Sequence, residues 1–184
     1  FRENYEYRYY YAQRIGPVTA RIIEPTYRTD YPQHVDEVVV FDAEMLNTRP
    51  EDEEEQKNFT PLYGCLKTII PTEYGESWFC EGIMPGEEEF NTFREALRER
   101  NWYYWSNSND DYTLTDSHQG EGAEPLPAFY FVISAPRSVS KGDIDKTLHE
   151  LTADWEHPLC WWRLAKEAGA NEEKHAAIAE RYGM

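Results

Sequence analysis

The amino-acid sequence predicts an α+β fold with a mixed, mainly antiparallel sheet, one mid-chain helix and a C-terminal three-helix segment. Short runs rich in Val, Ile and aromatic residues alternate with turn residues over the first 135 positions, which is typical of strands. After residue 135, apolar residues recur at intervals of three and four, which is typical of helices. The 184 residues suit a single domain. We divide it into an N-terminal β-hairpin (1–36), a mixed sheet plus helix (37–135) and a helical segment (136–184).

The strands are predicted from β-branched and aromatic runs that turn residues separate. Gly16-Pro17 lies between two such runs and predicts a hairpin. The turn at 73–75 lies between two more and predicts a second strand pair. Segments 46–60 and 106–127 are acidic or polar, so we expect loops there, the first of them mobile, although an acidic run such as 51–55 is also typical of a helix start. The predicted strands cover residues 5–13, 18–27, 36–45, 63–70, 77–84, 102–105 and 128–134.

The helices are predicted from capping residues and from apolar periodicity. A Pro-Gly pair at 85–86 precedes the mid-chain helix, and the glutamates of 87–89 suit its first turn, where the macrodipole is positive. Ser140, Pro158 and Asn171 are predicted to begin the three C-terminal helices, the first and last as N-caps. The predicted apolar stripes are Phe90, Phe93 and Leu97 in the mid-chain helix and Ile144, Leu148, Leu151 and Trp155 in the first C-terminal helix.

The net charge of −17 is the most informative feature for function. It arises from 35 acidic and 18 basic residues in a chain that also carries 6 Trp, 14 Tyr and 8 Phe. A disordered acidic segment lacks such rings, so this chain is expected to fold and to keep a strongly negative surface. Residues 41–140 hold 20 acidic and 7 basic residues and therefore most of the charge. No cluster of Lys and Arg is present to displace counterions, which disfavours direct binding to duplex nucleic acid.

Several classes of protein are disfavoured by what the sequence contains. The cysteines Cys65, Cys80 and Cys160 are odd in number and widely spaced, which predicts reduced thiols, each a small buried apolar residue, in a cytoplasmic protein. No apolar run approaches the length of a membrane span, and no signal peptide is recognisable. Phosphate-binding glycine loops, nucleophile turns and Cys-x-x-Cys pairs are absent from the sequence.

Acidic and histidine residues follow apolar elements at three places. Asp42 and Glu44 end an apolar strand, and their spacing of two places both carboxylates on the same side. The Asp-Asp pair at 110–111 follows another predicted strand. His175 precedes Glu180 by five residues on the last helix. Two carboxylates on one side of a strand end can hold a divalent cation between their oxygen atoms.

This order of motifs resembles the DEDD-type 3′–5′ exonucleases, whose fold is RNase H-like. The resemblance covers residues 37–182. It implies two metal ions, Mg²⁺ or Mn²⁺, that clamp the scissile phosphate and activate a water molecule. By this resemblance the metal ligands would be Asp42, Glu44, Asp111 (or Asp110) and Glu180, and the general base would be His175.

The interpretation that we favour is a non-enzymatic binding protein without a cofactor. A folded, acidic surface studded with aromatic residues can imitate the phosphate array of a nucleic acid, so it can dock on and block a basic, nucleic-acid-binding protein. Tyrosine and tryptophan side chains are expected as anchors, since these residue types are common at interface hot spots. The predicted partner-binding residues are Glu51, Asp52, Glu53, Glu54, Glu55, Glu87, Glu88, Glu89, Asp110, Asp111, Tyr103, Tyr104 and Tyr112.

A third interpretation is that the chain is a subunit of a larger assembly. The N-terminal hairpin would then be the docking element, because it carries a cluster of tyrosines. These are Tyr5, Tyr7, Tyr9, Tyr10 and Tyr11. The same tyrosines would also suit a strand that packs on a core.

Overall fold

The predicted α+β class is confirmed. The computed structural model describes residues 8–28, 31–120 and 122–184, and all strand pairs among these residues are antiparallel. The strands are β1 (Ala12–Arg14), β2 (Thr19–Ile22), β3 (Val38–Met45), β4 (Tyr63–Ile70), β5 (Tyr74–Ile83), β6 (Tyr103–Ser106), β7 (Thr113–Leu114) and β8 (Leu126–Pro136). The helices are α1 (Glu53–Lys57), α2 (Glu87–Glu99), α3 (Lys141–Leu151), α4 (Trp162–Ala168) and α5 (Glu172–Tyr182).

The chain divides into two compact units. The first contains residues 8–24 and 31–73 of the described chain, and the second contains 25–28, 74–120 and 122–184. Among the helices of these residues, none is both long enough and apolar enough to cross a bilayer.

The first unit is a four-stranded sheet in the order β1-β2-β3-β4. The predicted hairpin around Gly16-Pro17 is confirmed, since Ala12 pairs with Ile22 and Arg14 with Ala20. Part of its first predicted strand, residues 5–7, lies outside the described residues. The core of this unit is small, and the rings of Phe41 and Tyr63 pack at its centre with centroids 4.9 Å apart. Beyond Phe41, the remaining residues of β3 are exposed.

Helix α1 lies in the segment that we predicted to be a loop. The carboxylate of Asp52 forms the N-cap and accepts hydrogen bonds from the backbone N–H groups of Glu54 at 2.9 Å and Glu55 at 3.1 Å. Glu53, Glu54 and Glu55 occupy the first turn, where the positive end of the helix dipole stabilises them. The acidic run therefore favours a helix start, and the prediction of a mobile loop at 53–57 was wrong.

The second unit is built around β8, which pairs with β5 on one side and with β6 on the other, while β7 pairs with the start of β8. The predicted pairing of segments 63–70 and 77–84 was wrong, because β4 pairs with β3 and β5 pairs with β8. Trp78 and Cys80 of β5 are buried opposite Ile133 and Phe131. Large apolar side chains of β5 are thus buried on pairing with β8. Strand β4 is largely exposed, so pairing with it would not bury them.

Helices α2 and α3 confirm two predicted starts. Phe93 and Leu97 of α2 are buried, and the hydroxyl of Ser140 caps α3 by accepting from Asp143 N–H at 3.1 Å. Helix α3 ends at Leu151, so the prediction that Trp155 continues its stripe was wrong. Trp155 lies in the following turn and packs on Phe93 with ring centroids 5.3 Å apart.

Helix α4 begins at Trp162, four residues after the predicted start at Pro158. Cys160 exchanges two backbone hydrogen bonds with Glu81 of β5, at 2.9 and 2.7 Å. This extended pairing keeps residues 158–161 out of a helix and holds the start of α4 against the sheet.

The long polar segment 106–127 is bound to α5 by an ion pair. Arg181 donates to both oxygens of Asp116, from Nε at 2.8 Å and from Nη2 at 2.5 Å. These hydrogen bonds lower the pKa of Asp116 to about 2. The segment also contains β7 and a 3₁₀ turn over Ser117–Gln119, so it is more ordered than the predicted loop.

Candidate functional site

The first unit carries two nearby groups of acidic residues, Asp42 with Glu44 and residues 51–55, which together we name the acidic arm. All seven of its carboxylate side chains are exposed. Glu54 pairs with Lys57 at 2.7 Å, whereas no ion pair of the described residues involves the other six. The arm therefore presents a concentration of negative charge that basic side chains of this unit leave largely uncompensated.

The other predicted acidic groups belong to the second unit. Glu87, Glu88 and Glu89 are exposed in the first turn of α2. Asp110 and Asp111 are exposed in the turn that precedes β7. Both groups are thus placed at the surface of their unit, as a role in partner binding requires.

The predicted tyrosine anchors are only partly exposed, and their rings contact other side chains of the second unit. Tyr112 donates a short hydrogen bond to Glu81, and its pKa is raised by burial and by that bond. Tyr103 and Tyr104 line a cleft of about 320 Å³ together with Arg94 and Arg98. The charged side chains that line this cleft are both arginines.

The residues of the predicted exonuclease site are divided between the units. Asp42 and Glu44 belong to the first unit, whereas Asp111, His175 and Glu180 belong to the second. Within the second unit, Asp111 and Glu180 are exposed and His175 is completely buried. The potential metal ligands that surround His175 are Asp145 and His149.

Asp145, His149 and His175 form a polar centre between α3 and α5 that we did not predict. One potential ligand atom from each of the three lies within 4.8 Å of the others. Asp145 and His149 are four residues apart on α3 and so share a helix face. His149 Nε2 lies 3.8 Å from Asp145 Oδ1. The spacing of four residues between Asp145 and His149 on a predicted helix was the sequence signal that could have revealed the pair.

Asp145 is held by two donors from neighbouring segments. The indole N–H of Trp161 donates to its Oδ1 at 2.7 Å, and the amide of Asn171 donates to its Oδ2 at 3.0 Å. Asn171 is the N-cap residue of α5, as predicted, but the side-chain capping bond expected of it is absent. Its backbone is left-handed, with φ of 61°. The burial of Asp145 explains this difference, because a buried carboxylate requires hydrogen-bond donors.

The hydrogen bonds of the two imidazoles define their protonation. The backbone N–H of Trp161 donates to His175 Nδ1 at 3.3 Å, so the proton of the neutral ring is on Nε2. Lys174 Nζ lies 3.4 Å from His149 Nδ1, and an ammonium group can only donate. Neither Nε2 has a hydrogen-bond partner among the described residues. Both imidazoles therefore present N–H groups rather than lone pairs to the centre.

A metal ion does not fit this tautomer. A histidine that binds a metal through Nε2 carries its proton on Nδ1 and donates it to an acceptor. Here Nδ1 of His175 faces a donor instead. The centre is better suited to connecting α3, Trp161 and α5 through hydrogen bonds and ring contacts.

The rings of the centre pack against one another. The Trp161 ring centroid lies 4.4 Å from that of His175 and 4.7 Å from that of His149. Burial lowers the pKa of His175 to about 4, and the charges of His149 and Lys174 act in the same direction. The pKa of His149 is lowered as well, by burial and by Lys174. A general base must be reachable by substrate, which the complete burial of His175 does not favour.

The burial of His175 in the polar centre leads us to expect that the free energy of unfolding falls as the pH decreases. The folded pKa of His175 lies below the unfolded value of about 6.5, so the unfolded chain binds the proton more readily. We expect its contribution, on the order of 3 kcal/mol, to be complete above pH 6.5 and to be lost progressively as the pH falls to about 4. Urea unfolding measured across this range tests the expectation.

The variant His175→Gln should flatten the pH dependence, whereas His118→Gln, at an exposed histidine, should leave it unchanged. An unchanged slope of the free energy of unfolding against pH in His175→Gln would contradict the assignment of this pH dependence to His175.

Added Zn²⁺ is expected to leave the melting temperature of the wild-type protein unaltered, and a metal-dependent rise would show that the tautomer argument is wrong.

The three cysteines are free thiols with little nucleophilic character. Cys80 and Cys160 are buried, and burial raises the pKa of Cys160 to about 11 and that of Cys80 well above its usual value. Cys65 is exposed, so the prediction of a buried apolar residue was wrong at this position. Its pKa is raised too, by partial burial and by Glu37, and a raised pKa lowers the thiolate fraction needed for reaction.

Comparison with known proteins gives no match, whether to a protein-family model, to a curated protein or to a solved structure.

Proposed function

We propose that the protein is a non-enzymatic acidic binding protein that docks on and blocks a basic, nucleic-acid-binding surface of another protein. The observation that carries the proposal is the acidic arm of the first unit. Seven exposed carboxylates lie within fourteen consecutive residues, and six of them have no basic partner among the described residues. Such a concentration of charge attracts an oppositely charged protein and suppresses binding to acidic ones.

The spacing of charge on the arm supports competition with nucleic acid. Of the five consecutive acids 51–55, the last three, Glu53, Glu54 and Glu55, lie in helix α1, which advances about 1.5 Å per residue. Duplex DNA carries one charge per about 1.7 Å of axis. A basic groove that binds phosphates can therefore meet a similar density of negative charge on the arm. The N-cap bonds of Asp52 and the pairing of β3 with β4 hold both ends of the arm in place.

The exonuclease hypothesis has less support in the geometry. Its general base, His175, is buried and accepts a hydrogen bond at Nδ1. Asp42, its first metal ligand, accepts a hydrogen bond from the backbone N–H of Glu44 and is exposed. The function that the charged surface favours is binding rather than hydrolysis.

A displacement assay tests the proposal. A lysine-rich DNA-binding protein is loaded with a fluorescently labelled duplex, and the acidic protein is added at increasing concentration. We expect release of the duplex, detected as a fall in anisotropy, and a loss of this effect as the salt concentration rises. Shortening of a labelled single strand in Mn²⁺, abolished by Asp42→Asn, would instead establish the exonuclease. Absence of duplex release at low salt would contradict the proposal.

A further inference from the structure

Exposed apolar side chains are concentrated in the first unit. Of the twelve large apolar residues that are exposed in the described chain, nine belong to this unit, although it is the smaller one. They are Tyr9, Tyr11, Ile15, Val18, Met45, Leu46, Leu66, Ile69 and Ile70. Contiguous exposed apolar groups with a polar border are typical of surfaces that bind another protein.

Five of these residues lie on the β3–β4 pair and its connection, and we name them the apolar strip: Met45, Leu46, Leu66, Ile69 and Ile70. Their exposed fractions run from 41% at Met45 to 64% at Leu46. Strand β4 ends the sheet among the described residues, so its far edge has no strand partner there. Large apolar side chains that remain exposed on an end strand are costly in water unless a partner covers them.

Two irregularities in strand pairing lie within the strip, at Leu66 and Ile69. Val39 pairs with Thr68 and Val38 with Ile70, which leaves Ile69 without a partner residue on β3. Val40 pairs with Lys67 and Phe41 with Cys65, which leaves Leu66 without a partner residue on β3. Extra residues of this kind bend a strand and hinder the addition of another strand at its edge. The strip is therefore suited to side-chain contacts with a folded surface rather than to pairing with an extended peptide.

The apolar strip and the acidic arm are neighbours on the same two strands. Asp42 lies across from Gly64, where an added Cβ would be 3.9 Å from the Cβ of Asp42. Met45 pairs with Tyr63, and Leu46 N–H donates to the carbonyl of Leu62 at 2.8 Å. Carboxylates of β3 and exposed apolar side chains thus lie next to one another on the pair, as at an apolar interface centre with a charged border.

Building on the proposed function, we infer that the apolar strip and the acidic arm form one docking surface for a folded basic protein. The partner surface must present an apolar patch bordered by lysine and arginine. A second copy of this chain does not match it, because pairing two strips would bring two acidic arms together. The strip contributes affinity that persists in salt, and the arm contributes attraction that salt removes.

Two synthetic peptides, each stapled into a helix so that it presents a folded surface, separate these contributions. They have the same length and the same number of lysines, and the other positions are leucine in one and serine in the other. The dissociation constant of each is measured by isothermal titration calorimetry at about 0.15 M and about 1 M NaCl. We expect the leucine peptide to bind at least about tenfold more tightly at the higher salt concentration, since burying one large aliphatic side chain supplies that factor.

The double variant Leu66→Ser/Ile69→Thr should remove the advantage of the leucine peptide without weakening the serine peptide. A matched variant, Ile15→Thr, alters an equally exposed residue of the same unit outside the strip and should change neither. Equal dissociation constants of the two peptides with the wild-type protein would show that the strip does not contribute to binding. The proposed function, which rests on charge, would not be affected. Failure of both peptides to bind at the lower salt concentration would contradict the proposed function itself. A dimer in sedimentation that the double variant dissociates would show that a second copy occupies the strip, against this inference.

Discussion

Neutralising residues 51–55 is expected to slow association with a basic partner by about 10–100-fold at low ionic strength. The change replaces the four glutamates of this run with glutamine and Asp52 with asparagine. Asparagine at position 52 keeps a side-chain oxygen that can cap α1, and the carboxylates of the acidic arm are exposed, so we expect the main effect on the encounter of the two proteins. Stopped-flow measurement of the association rate with a lysine-rich DNA-binding protein, over a series of salt concentrations, tests the expectation.

The matched control removes an equal amount of charge from the other unit. It replaces five exposed glutamates of the second unit with glutamine: Glu124, Glu150, Glu156, Glu173 and Glu180. Both variants have the same net charge, so only the location of the removed charge differs. We expect the control to retain most of the association rate, and all three proteins to converge near 1 M salt, where the Debye length is about 3 Å. Equal slowing in both variants would mean that net charge alone attracts the partner and that the arm is not a docking surface.

Replacing Asp145 with alanine is expected to lower the free energy of unfolding by about 2–5 kcal/mol. Its carboxylate accepts hydrogen bonds from Trp161 and Asn171, and both donors would lose their acceptor inside the protein. Each buried donor that is left unpaired costs about 1–3 kcal/mol. Guanidinium chloride unfolding, followed by far-UV circular dichroism at pH 7, provides the measurement.

Asp154→Ala is the control for this variant, because Asp154 is an exposed carboxylate in the turn after α3. It should change the free energy of unfolding by no more than about 0.5 kcal/mol. Asp145→Asn keeps an acceptor oxygen for one donor, so its loss in the free energy of unfolding should lie between those of Asp154→Ala and Asp145→Ala. A loss below about 1 kcal/mol in Asp145→Ala would show that the polar centre does not hold α3, Trp161 and α5 together.

Local chemistry explains which elements were predictable. Ser140 caps α3 and Gly16-Pro17 forms a hairpin turn because the bonds and dihedral angles involved are set by adjacent residues. The same reasoning was incomplete for 51–55, where repulsion between like charges suggested a loop. The helix dipole and the Asp52 cap outweigh that repulsion in the first turn of α1.

Pairing between segments that are distant in the sequence could not be predicted from the chemistry of adjacent residues. Strands β4 and β5 are separated by a short turn, yet they pair with β3 and β8, since only β8 buries the large side chains of β5. The polar centre was missed for the same reason. Asp145 and Asn171 are 26 residues apart, and neither position indicates by itself that one side chain will receive a hydrogen bond from the other.

The amino-acid sequence alone determined the α+β class, the strong negative charge and its location in the acidic runs, because composition and local periodicity express these properties directly. Tertiary structure decided which carboxylates stay exposed, which apolar residues of β4 remain at the surface, and which histidine is buried beside Asp145. Burial depends on the residues that a side chain contacts across the fold. The fold that removes the most apolar area from water determines which residues these are.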